Sequence, residues 1–156
     1  MNRQVMQAGL ALALGWAWAA GAVTTTATSS GLWDETGIWD NGVPQAGDTA
    51  VIGAGANVLL TNATAALESL TVNNTATLTF SNLAAQVQAT NVTISSGGNV
   101  THTINTDTND TDGWQVDGRV YIVCSNFTLA AGGSINVDYK GFQPCLLYTS
   151  PSPRDS

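Results

Sequence analysis

The chain has 156 residues, which is enough for one domain. Charged residues make up 10% of it, against about 25% in an ordinary soluble domain, and the formal net charge is −7. Because only four residues are basic, the composition argues against a nucleic-acid-binding protein. The 21 threonines, 13 asparagines and 16 glycines are poor helix-interior residues, whereas 44% hydrophobic residues can form a core. The composition therefore indicates a folded, β-rich domain.

The first 22 residues are predicted to be a secretory signal peptide. Arg3 supplies a positive charge, residues 8–20 are mostly apolar, and Ala20-Gly21-Ala22 is a site of small residues with cleavage expected after Ala22. A membrane anchor is the alternative, but the apolar run is shorter than the about 20 residues that span a bilayer. No later segment is long and apolar enough to span one, so we expect a secreted or cell-surface protein.

The last residues are predicted not to be native. Residues 145–155, Cys-Leu-Leu-Tyr-Thr-Ser-Pro-Ser-Pro-Arg-Asp, resemble a translated sequencing adapter. We therefore treat 145–156 as a non-native tail and expect the native protein to continue beyond Pro144. Cys124 is then the only native cysteine after the signal peptide, so no disulfide is predicted.

A repeat of two short strands separated by four turn residues is the strongest signal in the remaining sequence. The four strand pairs are Ala50–Ile52 with Val58–Leu60, Leu70–Val72 with Leu78–Phe80, Val92–Ile94 with Val100–His102, and Phe127–Leu129 with Ile135–Val137. The intervening turns are Gly53–Ala56, Asn73–Ala76, Ser95–Gly98 and Ala130–Gly133, at the same place each time.

Alternation within each strand predicts which side chains face inward. The inward columns are Leu70/Val92/Phe127, Val72/Ile94/Leu129, Leu78/Val100/Ile135 and Phe80/His102/Val137, and the outward column is Thr71/Thr93/Thr128. A repeat of about 20 residues cannot bury its apolar face alone, so successive copies must stack. We predict an all-β, right-handed parallel β-helix (solenoid) fragment with an N-terminal cap, and a β-sandwich is the alternative. Residues 23–48 would form the linker and cap, and residues 49–144 the solenoid coils.

The segment before the first predicted strand pair carries a set of short motifs. These are Trp39, Gly42-Val43-Pro44, Gly47-Asp48 and Val51-Ile52-Gly53-Ala54-Gly55. The segment resembles the opening of G8-type domains and of bacterial surface proteins with autotransporter-associated solenoid repeats. This resemblance covers about residues 33–100 and implies a right-handed parallel β-helix in an extracellular protein. It does not assign an activity.

An acidic insertion between the third and fourth strand pairs is a candidate calcium site. Its oxygen-bearing side chains are those of Asp107, Asn109, Asp110 and Asp112, and Gly113 follows them. Alternating Asp and Asn before a glycine place hard oxygen ligands around a hard cation. The spacing departs from an EF-hand and no closing glutamate follows, so a solvated spacer is the alternative. Trp114, which has no counterpart in the repeat, is the candidate carbohydrate ligand because an exposed indole can stack on a sugar ring.

Other reactive side chains are interpreted as structural. Trp33 and Trp39 lie where a cap would close the core, and His102 belongs to an apolar column. Cys124 is interpreted as a small buried hydrophobe. Arg119, Asp117 and Asp138 resemble the groups that solenoid polysaccharide lyases use, but scattered single charges on a repeat surface usually only solvate it.

Two classes of function remain. The first is a non-catalytic N-terminal segment of a secreted or surface-displayed β-solenoid protein, with a structural, adhesive or carbohydrate-binding role. Its partners would be a polysaccharide or cell-surface glycan and the downstream part of its own chain, with no nucleic acid and no membrane span. The second is the leading coils of a polysaccharide lyase or glycoside hydrolase whose catalytic part lies downstream. Calcium is the only cofactor expected.

Overall fold

Ten β-strands and one 3-10 turn make up the part of the chain that the computed structural model describes, residues 21–106 and 117–141. The strands are β1 (Thr24–Ala27), β2 (Gly31–Leu32), β3 (Thr49–Ile52), β4 (Asn57–Leu60), β5 (Ala63–Val72), β6 (Thr77–Phe80), β7 (Gln86–Ile94), β8 (Asn99–His102), β9 (Ile122–Leu129) and β10 (Ser134–Ile135). The 3-10 turn is Thr36–Ile38.

The strands form two five-stranded parallel sheets. The odd-numbered strands stack in the order β1-β3-β5-β7-β9, and the even-numbered strands stack in the order β2-β4-β6-β8-β10. Consecutive strands therefore lie in different sheets, and each odd–even pair is one coil. We number these coils 1 to 5, from β1–β2 to β9–β10. The predicted parallel β-solenoid is confirmed, and the β-sandwich alternative is wrong because the strands of each sheet are paired in parallel.

The predicted inward columns are confirmed by the strand registers. Leu70 pairs with Val92 and Val92 with Phe127, while Leu78 pairs with Val100. The members of these columns in coils 3 and 4 are buried, except His102, which is partly exposed. The coil 5 members of the columns are not buried as predicted: the structure leaves exposed Phe127, Leu129, Ile135 and Val137, because no described coil lies on their other side. Phe80 pairs with His102 as predicted, but β10 ends at Ile135 and Val137 lies beyond it.

The four predicted turns share one backbone geometry. In each, the N–H of the fourth residue donates to the carbonyl of the first, at 2.9–3.1 Å. The third residue is in the left-handed region, and it is Gly55, Thr75, Gly97 or Gly132 in successive coils. This is the arrangement of a type II turn, which favours glycine at that position. Thr75, at φ 60°, is β-branched and therefore the strained member of the set.

Coil 1 was not among the four strand pairs that the repeat predicted. It lies within residues 23–48, which the sequence pattern assigned to the linker and cap. β1 pairs with β3 along its whole length, and β2 pairs with β4. Thr25 occupies the inward position opposite Ala50 and is buried, and its Oγ1 donates to the carbonyl of Gly42 at 2.6 Å. This hydrogen bond allows a polar residue to take a core position.

A cap closes the core at coil 1, as the positions of the two tryptophans predict. Trp33, Ile38 and Trp39 are buried together. The two indole rings meet edge to face with centroids 5.0 Å apart, and Trp39 Nε1 donates to the carbonyl of Trp33 at 2.8 Å. The buried indole N–H is thus satisfied, so the pair packs at no polar cost.

The cap also occupies the outer edge of β1. Asp40 donates its backbone N–H to the Thr26 carbonyl at 3.0 Å, and its Oδ1 accepts from the Thr26 N–H at 2.7 Å. Asn41 Nδ2 donates to the Thr24 carbonyl at 3.0 Å, and the N–H of Thr28 donates to the Ile38 carbonyl at 2.8 Å. Backbone groups that an edge strand would leave open are therefore already bonded.

Candidate functional site

An open groove of about 290 Å³ crosses coils 3, 4 and 5 on the sheet of odd-numbered strands. Its lining residues come from β5, β7 and β9: Ala66, Leu67, Gln88, Ala89, Thr90, Val123, Cys124 and Ser125. None of these side chains carries a formal charge. The groove therefore combines an apolar floor with neutral amide and hydroxyl groups.

The groove lies where the ladders of the three long strands are interrupted, and we call this interruption the bend. The registers run through Leu67, Ala89 and Cys124, skip one residue in each strand, and resume at Ser69, Asn91 and Asn126. The alternation of buried and exposed residues breaks at the same place, because the buried residues on its two sides, Leu67 and Leu70, are three positions apart and not two. A local break in the ladder re-aims side chains, as a bulge does.

A ladder of amide and carboxylate groups borders the bend. Asn91 Nδ2 lies 3.4 Å from both the backbone carbonyl and Oε1 of Glu68. Asn126 Nδ2 donates to Asn91 Oδ1 at 2.9 Å. These contacts link coils 3, 4 and 5 along the border of the groove.

Tyr121 immediately precedes β9 and is partly exposed, beside the last coil of the groove. The Arg119 guanidinium carbon lies 4.4 Å from the centroid of its ring, within cation–π range. The backbone carbonyl of Tyr121 accepts from Val87 N–H at 3.0 Å, which ties this residue to coil 4. The pair combines an aromatic ring with a cation, and neither residue lines the groove.

The site residues that the sequence singled out lie outside the described residues. These are Asp107, Asn109, Asp110, Asp112 and Trp114. The described residues on either side of this insertion are joined, because Asp117 Oδ2 accepts from both the backbone N–H and the hydroxyl of Thr106. Within residues 21–106 and 117–141, no group of three His, Cys, Asp or Glu side chains is placed to hold a metal ion.

The other reactive side chains make separate contacts. His102 is partly exposed, with Nδ1 2.6 Å from the carbonyl of Thr103. Cys124 is a free thiol in register with Leu67 and Ala89 as predicted, but it lines the groove and is half-buried, not buried as expected. Arg119 stacks on Tyr121, whereas the N–H of Asp138 donates to Asn136 Oδ1 at 2.9 Å. None of these contacts is one that activates a nucleophile.

The Gly-Asp motif before β3 has a structural role. Asp48 Oδ1 accepts from the N–H of Val23 at 2.9 Å, and Oδ2 accepts from the N–H of Gln45 at 2.8 Å. Gly47, at φ +84°, makes the turn that brings the carboxylate to these donors. Asp48 thus fastens the start of β1 to the start of β3.

Residues 38–109 match the model of the G8 domain family, which confirms the G8-type resemblance. The match begins in the cap and ends in the acidic insertion, so it covers coils 2 to 4 completely. The G8 domain is typically found in extracellular proteins. No curated protein and no solved structure gives a significant match. In the part of the chain that the structure describes, no helix has the length and apolar character needed to cross a bilayer.

Proposed function

We propose that this chain is a non-catalytic module of a secreted or surface-displayed β-solenoid protein and binds a neutral polysaccharide through the groove. The observation that carries the proposal is the lining of the groove. Sugars present both hydroxyl groups and apolar C–H faces, and the lining offers Gln88, Thr90 and Ser125 beside Leu67 and Val123. A few polar groups set in an apolar depression are typical of ligand sites.

The charge around the groove favours a neutral over an acidic polysaccharide. Glu68 lies next to the bend and is bonded to Asn91, whereas the residues that line the groove are uncharged. Residues 21–106 contain five acidic and no basic side chains, so a uronic acid polymer would be repelled by most of the solenoid. Arg119 is not among the residues that line the groove, and its guanidinium is stacked on Tyr121.

Affinity electrophoresis in gels containing neutral polysaccharides, followed by calorimetry with the retarding polymer, tests the proposal. The double variant Gln88→Ala, Thr90→Ala should raise Kd about 30-fold, because the two lost hydrogen bonds contribute about 1 kcal/mol each. Thr71→Ala, on β5 but outside the groove, is the matched control and should bind as the parent chain does. Absence of retardation in every neutral polymer, or equal binding by the double variant, would contradict the proposal.

A second candidate function is that these coils begin a polysaccharide lyase or glycoside hydrolase. The observation that favours it is the open face of coil 5, on which further coils could stack with the same register. The discriminating measurement is the release of reducing or unsaturated sugar ends by the full open reading frame. Release by the full protein, with binding but no release by this chain, would support the second candidate.

We further propose that the acidic insertion binds calcium weakly, with Kd in the range of about 10⁻⁴–10⁻³ M that extracellular modules show. Asp107, Asn109, Asp110 and Asp112 would supply the oxygens, and binding to the folded state alone would raise the melting temperature with calcium concentration. The double variant Asp110→Asn, Asp112→Asn should abolish that rise. An unchanged melting curve for the parent chain at millimolar calcium would leave the insertion as a solvated spacer.

A further inference from the structure

We infer that the carboxylate of Asp48 is a preformed binding site for the α-ammonium group that proteolytic processing creates at Val23. We call this carboxylate, where it contacts the Val23 nitrogen, the N-terminal site. The inference rests on the secreted character of the proposed module, and it does not depend on polysaccharide binding in the groove.

The peptide bond between Ala22 and Val23 is open to a peptidase. Gly21, Ala22 and Val23 are all exposed, and the first strand begins after them at Thr24. Hydrolysis of this bond by an endopeptidase of the secretion machinery therefore leaves every described strand intact. Water supplies the oxygen of the new Ala22 carboxylate and the two protons that convert the Val23 N–H into an ammonium group.

The Val23 nitrogen already lies at the N-terminal site before cleavage. Its N–H donates to Asp48 Oδ1 at 2.9 Å. The Val23 carbonyl accepts from the Thr49 N–H at 2.8 Å, which extends the ladder between β1 and β3. This second bond holds Val23 from the side that hydrolysis leaves intact, so the nitrogen keeps its position when residues 1–22 are removed.

Asp48 is held in place by groups other than Val23. Its Oδ2 accepts from the N–H of Gln45 at 2.8 Å, and its own N–H donates to the Gln45 carbonyl at 3.1 Å. Its carbonyl accepts from the N–H of Glu68 at 2.9 Å. One carboxylate oxygen thus belongs to the turn and the other contacts Val23, so processing converts a hydrogen bond from a neutral amide into an ion pair.

The charged groups around the N-terminal site favour an ammonium group. Asp40 lies at the outer side of β1, β3 carries no charge, and Glu68 lies on coil 3. Residues 21–106 contain no basic side chain that would repel the new terminus. Cleavage at any other bond would leave the terminal nitrogen at least one residue, about 3.8 Å of chain, from the atom that contacts Asp48. The geometry therefore favours the Ala22–Val23 bond.

Secretion of the full chain by a bacterial host, followed by measurement of the intact mass, tests the position of cleavage. We expect a mature protein that begins at Val23. A mature protein with another first residue, or a chain that keeps residues 1–22, would overturn the inference. The groove is tested separately by polysaccharide retardation, so failure of one result does not decide the other.

The pH dependence of stability tests the N-terminal site in the mature protein. An ammonium group that gains a carboxylate partner on folding has a raised pKa in the folded state. Its stabilisation is complete below the ordinary α-amino pKa of about 8 and is lost as the pH rises through the folded value. For this reason we expect the melting temperature to fall by about 1–4 °C between pH 7 and pH 10.

Two variants with the same change of charge show whether Asp48 causes this fall. Asp48→Asn should remove most of it, whereas Asp40→Asn, which does not contact Val23, should keep it. An NMR titration of Val23 Cα in the unsubstituted mature protein gives the pKa of the α-amino group without relying on either variant. An α-amino pKa at its ordinary value there, or equal falls in all three proteins, would refute the ion pair.

Discussion

Replacing Trp39 with Ala should lower the free energy of unfolding by about 3–5 kcal/mol, the usual cost of truncating a buried tryptophan. The substitution removes the edge-to-face contact with Trp33 and opens the core of coil 1 to water. It also leaves the buried carbonyl of Trp33 without the indole donor, which lies 2.8 Å away in the native fold. Urea unfolding followed by tryptophan fluorescence, or by circular dichroism, measures the change.

Two control variants separate packing from hydrogen bonding in the cap. Trp39→Phe keeps an aromatic ring but loses the N–H donor, so we expect a smaller loss of about 1–3 kcal/mol. Leu32→Ala changes a residue that is 47% exposed, and its effect should stay within about 0.5 kcal/mol. If Trp39→Ala were no more damaging than Leu32→Ala, the cap would not stabilise the solenoid.

Replacing Phe80 with Ala should cost a similar amount, about 3–5 kcal/mol, through a cavity in the middle of the coil stack. Phe80 is fully buried and lies in register between Leu60 of coil 2 and His102 of coil 4. Parallel coils joined by continuous backbone ladders cannot close together around the missing ring, so the surroundings collapse only partly.

The neighbouring outward residue supplies the matched control for Phe80. Thr79 lies on the same strand, faces away from the core and is partly exposed, so Thr79→Ala should change stability by about 0.5 kcal/mol or less. Calorimetry of both variants would show a large difference between positions 79 and 80. Equal effects would mean that the two faces of β6 are not distinguished, contrary to the column arrangement.

Sequence patterns alone predicted the coil and its inner face. In Leu78-Thr79-Phe80 and Val92-Thr93-Ile94, a period of two places every second side chain on one face. The turn tetrads, such as Ser95–Gly98, recur at one position and require a left-handed residue there. Both signals are local in the chain, and together they predicted the strand registers of coils 2 to 4.

Coil 1 depended on tertiary contacts. Thr24–Ala27 carries no apolar alternation, and β2 has only two residues, so neither segment is recognisable as part of a coil. These strands form because they pair with the edges of β3 and β4. Asp40 and Asn41 also hydrogen-bond to the outer side of β1. Such partners are distant in sequence and have no fixed spacing, so a local pattern cannot show them.

The groove and the exposure of coil 5 likewise follow from tertiary contacts and not from local patterns. The groove lies where Thr90 and Ser125 are skipped in the strand registers. The period of two is interrupted there, so the alternation of residues no longer predicts which side chains face inward. Phe127 and Leu129 have the same pattern as Leu70 and Val72 and occupy the same columns, yet they are exposed. Burial of a solenoid side chain requires a coil on both sides, and that depends on the neighbouring coils and not on the residue itself.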